Sequence, residues 1–206
     1  MKHYKYCPTF HPFPRPHLLS TMSDFTINPF LLYSQHDITP GHCSSILWDL
    51  REPPGAARPV LNLEEPLSVL DQAQLATSPP ISILHITCDI FPEEWPIKVT
   101  RDEGVAVGDV LEAIHETLMQ RISHDEWHRL SQKQRDRIKL VFDNRCSMAV
   151  NREECHSNGV LRVDCVVHHT WFAGLSVSPE HENTCILSLR RPRELPPSSP
   201  VQPVQP

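Results

Sequence analysis

The chain has 206 residues, of which 39% are hydrophobic and 21% charged, and a formal net charge of −6. That length suits one domain with a sizeable core and is short for two. The acidic balance, 25 Asp and Glu against 19 Lys and Arg, argues against a nucleic-acid partner, whose phosphates require excess cation.

Residues 1–22 read as a disordered arm rich in His and Pro. Pro8, Pro12 and Pro14 occupy the place where a secretory leader needs an apolar run, and Met22 is a plausible second start. No stretch approaches the ~18 uninterrupted apolar residues of a membrane span, so a cytoplasmic or nuclear setting is expected. A single α+β domain is expected over 23–191, beginning near Ile27. Residues 45–51 read as a short strand stopped by Pro53-Pro54-Gly55, and 52–80, with six prolines, as a long loop.

Ile81 to Ile90 alternates cleanly, with Leu84, Ile86, Cys88 and Ile90 on one face. A turn at Phe91 to Pro96 returns the chain along Ile97 to Arg101 as an antiparallel partner. Val107 to Ile122 carries an apolar stripe at helical spacing, through Val110, Leu111, Ile114 and Leu118. Ser123-x-x-Glu126 and Ser131-x-x-Gln134 are capping boxes, predicting helices over 124–130 and 132–147. After Asn158-Gly159, residues 160–167 alternate and predict a strand, and Thr184 to Leu189 predicts the last one. Residues 192–206 read as a disordered Pro-rich tail, with Pro197, Pro200, Pro203 and Pro206 on one ridge of a polyproline II helix. The fold class expected is α+β, an antiparallel-rich sheet with a block of two to three helices packed on one face.

The signposts Ile27-Asn28-Pro29, Trp48-Asp49-Leu50-Arg51-x-Pro53-Pro54, Ala76-Thr77-x-Pro79-Pro80 and Trp95-Pro96-Ile97-x-Val99 run in order along the chain. They continue with Val105-x-Val107-x-Asp109-Val110-Leu111, Arg145-Cys146, Gly159-Val160-x-Arg162-Val163-Asp164 and Phe172-x-Gly174-Leu175. In that order and spacing they resemble a family of mushroom-forming fungi, domain of unknown function 6699, from about Ile27 to Leu189. Ala106 departs from the family's tendency to Thr at the helix N-cap, which predicts a helix start weaker by roughly 1 kcal/mol. The resemblance implies a fold and a source, and brings no activity with it.

Chemistry was sought residue by residue. Cys146, Cys155, His156, Cys165, His168 and His169 are the candidate metal ligands, but the cysteines stand nine and ten residues apart, without knuckle pairs. They read as one buried thiol, two loop or helix-end thiols and surface histidines, so no metal is expected. Seven cysteines with no C-x-x-C pair fit a reducing compartment. Cys165 and His168 lie three apart on the expected strand and face opposite ways, which disfavours a nucleophile pair. Six glycines, none in a phosphate-cradling loop, leave no cofactor implied. Arg129, Lys133, Arg135, Arg137, Lys139 and Arg145 interleave with acids and read as a solvated helix face.

Asp49, Arg51, Arg162 and Asp164 remain as the candidate binding patch. Each expected strand offers one acid and one base on its outer face, which predicts cross-strand pairs Asp49–Arg162 and Arg51–Asp164. Together these readings favour a non-catalytic protein-interaction module, with protein partners and neither nucleic acid nor membrane. The alternative is a small enzyme whose site is assembled from distant Cys, His and Asp residues.

Overall fold

The computed structural model describes residues 25–34, 44–91 and 95–192. The expected arm 1–22 lies outside the described residues, as does the tail beyond Pro192.

Among the described residues, eight strands and six α-helices follow one another. The first are short: β1 (Thr26–Ile27), β2 (Ile46–Leu47), β3 (Arg58–Pro59) and β4 (Thr77–Ser78), with helix α1 (Val69–Gln72) before β4. Strand β1 pairs antiparallel with β4, and β2 with β3, making two small ribbons. Proline density explains their brevity, because each proline removes a ladder donor.

The main sheet is built from β5 (Ile83–Thr87), β6 (Ile97–Thr100), β7 (Trp171–Val177) and β8 (Thr184–Arg190), in the order β6-β5-β8-β7. Two antiparallel hairpins, β5–β6 and β7–β8, are joined by a parallel seam that sets Ile86 beside Cys185. The alternation in β5 behaves as its sequence predicts: Leu84 and Ile86 are buried, while Ile83 and Thr87 are exposed. Between the hairpins lie α2 (Val107–Leu118), α3 (His124–Arg129), α4 (Gln132–Met148), α5 (Arg152–Asn158) and α6 (Arg162–Cys165). Helix α2 packs on β6 and buries Val107, Val110, Leu111, Ile114 and Leu118. Its N-cap is Ala106, which has no side-chain oxygen, yet Asp109 reaches back and accepts the Ala106 amide at 2.8 Å. One half of a capping box is therefore in place.

The strand expected over 160–167 does not form. Leu161 is extended and bridges Arg121, with the Ile122 amide donating to the Val160 carbonyl and the Arg162 amide to that of Gln120. The chain then turns into α6, because the Asp164 carboxylate accepts the Leu161 amide at 2.9 Å and starts a helical turn. Val163 and Val166 are the apolar side chains buried there, a spacing of three rather than two. The place left in the sheet is taken by β7. That strand runs against residues 31–33, with the Tyr33 amide donating to Leu175 and the Leu175 amide to Leu31. Gly174 makes the approach feasible: its φ is 123°, and a Cβ there would sit 2.6 Å from the Tyr33 backbone.

Candidate functional site

The four residues singled out from the sequence fall into two separate places. Arg51 turns back on Asp49, with Nε 2.9 Å from Oδ1, and that partner raises the arginine's pKa. Arg162 and Asp164 sit together on α6 but engage helices instead of Asp49 and Arg51. The cross-strand pairs expected do not form, because one of the two strands that would carry them is a helical turn.

Asp164 is 1% exposed and grips Arg145 of α4 in a two-pronged pair, Nε to Oδ1 and Nη2 to Oδ2, both 2.8 Å. Arg145 also donates to the Gly159 carbonyl at 3.1 Å and to Cys155 Sγ at 3.1 Å. It was read in the sequence as part of a solvated face; instead it is the strut that holds α6 against α4. Arg162 performs a similar duty toward α3. It donates to Glu126 at 3.1 Å and to Gln120 at 2.6 Å, and its guanidinium lies 4.9 Å over the Trp95 ring. Glu126 accepts the Trp95 indole N–H and the Ser123 amide as well. Burial pushes its pKa up, but the hydrogen bonds from Ser123, Trp95 and Arg162 outweigh it and hold the carboxyl at about 2.

These ties frame a groove along α4. One end is a cavity of about 300 Å³ among Phe91, Trp95, Leu130, Ile138 and Cys165, and the other is a cavity of about 260 Å³ among Leu140, Val141, His168 and Arg191. Arg137 and Val167 line both, so the two adjoin. Leu140 is 72% exposed on this surface. Val167 has φ 55°, a left-handed conformation that a β-branched residue rarely takes. That strain sits at the waist of the groove, where local backbone cost is often retained for a functional reason. Arg191 donates to His169 at 3.4 Å. Among the described residues, Arg137 has no carboxylate partner.

Neither Cys165 nor Cys185 is an activated nucleophile. Burial pushes the Cys165 thiol up to about 12 and the Cys185 thiol likewise to about 12. Among the described residues, no group of three or more His, Cys, Asp and Glu is arranged to hold a metal ion. Cys146 and Cys155, expected at loop or helix ends, are both buried and their sulfurs are 2.8 Å apart.

A further apolar cavity, about 300 Å³, lies among Pro29, Phe30, Pro59, Val60 and Leu61, with Leu61 86% exposed. Among the described residues, no charged one lines it.

Residues 46–184 match a family of unknown function, DUF6699. The chain belongs to that family. The DUF6699 match covers Arg162, Asp164, Arg145 and Trp95 together with the groove they frame, apart from Arg191. Nothing among curated proteins or solved structures matches the chain. No helix of the described residues is long and apolar enough to cross a membrane.

Proposed function

We propose that this DUF6699 domain is a non-catalytic protein-interaction module, and that the α4 groove seats a segment of a partner protein bearing an apolar anchor and a carboxylate. The observation that carries the reading is the pairing of an apolar floor with Arg137, His168 and Arg191 across two adjoining cavities. Apolar burial would supply the affinity and the arginines the orientation. The carboxylate is assigned to the end lined by His168 and Arg191. The apolar anchor is assigned to the Trp95 and Ile138 end. A small enzyme is less well supported, since Asp164 and Glu126 are spent on Arg145 and Arg162 and burial pushes up the Cys165 thiol beside the groove. The five cysteines among the described residues stand as thiols, which suits a cytoplasmic or nuclear setting.

Peptide-display selection on the intact chain tests this reading, with affinities of the selected peptides then measured by fluorescence anisotropy. Selected peptides should combine a large apolar residue with Asp, Glu or a free C-terminus. Arg137→Glu with Arg191→Glu should weaken them by about tenfold or more, the equivalent of ~1.4 kcal/mol. Leu61→Glu, on the other cavity, should leave them unchanged. The reverse pattern, loss with Leu61→Glu and indifference to the arginine changes, would move the site to the uncharged cavity.

A further inference from the structure

Cys146 closes the last turn of α4 and Cys155 sits mid-way along α5, two helices that pack together across the three-residue link 149–151. Their sulfurs are 2.8 Å apart in a buried pocket, Cys146 fully enclosed and Cys155 8% exposed. Arg145 Nη1 donates to Cys155 Sγ at 3.1 Å, so that sulfur has a guanidinium in direct contact.

We propose that Cys146 and Cys155 are an oxidative modification site, converted to an internal disulfide by a low-molecular-weight disulfide such as glutathione disulfide. The Cys155 thiolate attacks one sulfur of the reagent, the reagent's S–S bond breaks, and the first glutathione leaves as a thiolate that takes up a proton. Cys146 then gives up its proton and attacks the Cys155 sulfur of the mixed disulfide, expelling the second glutathione. One protein S–S bond forms, one reagent S–S bond breaks, and two electrons pass from the protein dithiol to two glutathione thiols. The order follows from access and charge. Cys155 has the partial exposure and the arginine, whereas burial pushes the Cys146 thiol up to about 11 and makes it a poor first attacker. For the second step its contact with Cys155 substitutes for acidity, since the attack is intramolecular and the sulfurs need close by under about 1 Å. The proposal stands apart from the groove reading, because it concerns the opposite side of the Arg145–Asp164 pair.

The test incubates the intact native chain with glutathione disulfide, blocks remaining thiols by alkylation, and digests with trypsin. Cleavage after Arg145, Arg152 and Arg162 turns the bond into a reducible link between peptides 146–152 and 153–162. That link should accumulate without unfolding, and dithiothreitol should abolish it. The Cys146→Ser variant should instead stop at a stable glutathione adduct on Cys155. Three results would overturn the proposal: a Cys155 adduct that persists in the unsubstituted chain, a link that forms only after urea unfolding, or a Cys155–Cys165 link of equal yield in the Cys146→Ser variant. Should the serine variant not fold, the first two readouts on the unsubstituted chain decide alone.

Discussion

Asp164 accepts three hydrogen bonds, two from Arg145 and one from the Leu161 amide, in a spot closed to water. Replacing it by asparagine keeps the shape but leaves the arginine without its counter-charge and turns an amide donor toward other donors. Removing one partner of such a buried pair costs about 3–5 kcal/mol, and the partial exposure of Arg145, 25%, favours the lower figure. Asp164→Asn should therefore lower unfolding free energy in urea by about 3 kcal/mol. The same residue on an exposed strand, as its sequence context predicts, would cost about 1 kcal/mol or less. Glu126 gives a pH test. Its carboxyl is held at about 2 against an ordinary 4.5, so the stability it lends is complete above 4.5 and is lost as pH falls toward 2. Urea midpoints measured at pH 6 and pH 3, roughly bracketing that fall, should drop further for the unsubstituted chain than for Glu126→Gln. Equal drops in both would mean that the carboxylate is not linked to folding.

Among the elements, β7 depends on one glycine more than on its apolar residues. Gly174 combines a φ of 123° with the Tyr33 backbone 2.6 Å from where a Cβ would stand. Gly174→Ala should cost at least about 1–3 kcal/mol in backbone strain alone, read as a lower thermal midpoint with loss of protection at the Leu175 amide in hydrogen exchange. An unchanged midpoint would mean that residues 31–33 can move aside. This strand also shows why the sequence was partly opaque. Trp171 to Leu175 does not alternate, because a bulge between Phe172 and Gly174 breaks the register and both sides of the strand are covered. Residues 160–167 do alternate, yet an aspartate three places after Leu161 captured the amide that would have continued a strand. Helices α3 and α4 were legible, since Ser123 and Ser131 accept the amides their capping boxes predict. Helix α1 carries the same kind of signal, Ser68 with Asp71, hidden inside the proline-rich stretch. Helix α5 has Asn151 accepting the Glu154 amide. Both were findable from capping chemistry alone. The groove was not, because Arg162 and Asp164 stood out while their partners Glu126 and Arg145 read as surface charge.

Across the whole molecule, one contiguous core runs from Phe25 through the α2 stripe to Leu187. The sheet that borders it closes late. Ile86 of β5 finds its neighbour Cys185 only after about 100 further residues of chain. On a ribosome adding ~5–20 residues per second, that is an interval of roughly 5–20 seconds. Through it the β5–β6 hairpin can form, but one edge of β5 stays open, with Leu84 and Ile86 not yet enclosed by β8. A nascent chain of this protein therefore carries a sticky strand edge for about half of its synthesis, and stalls anywhere in the helical segment would prolong the hazard. A chain cut after Asn183 makes that state permanent. It should partition to the insoluble fraction when translated in vitro without chaperones, while the full chain stays in the supernatant. A soluble, monomeric product of the same truncation would show that the helices shield the edge before β8 arrives.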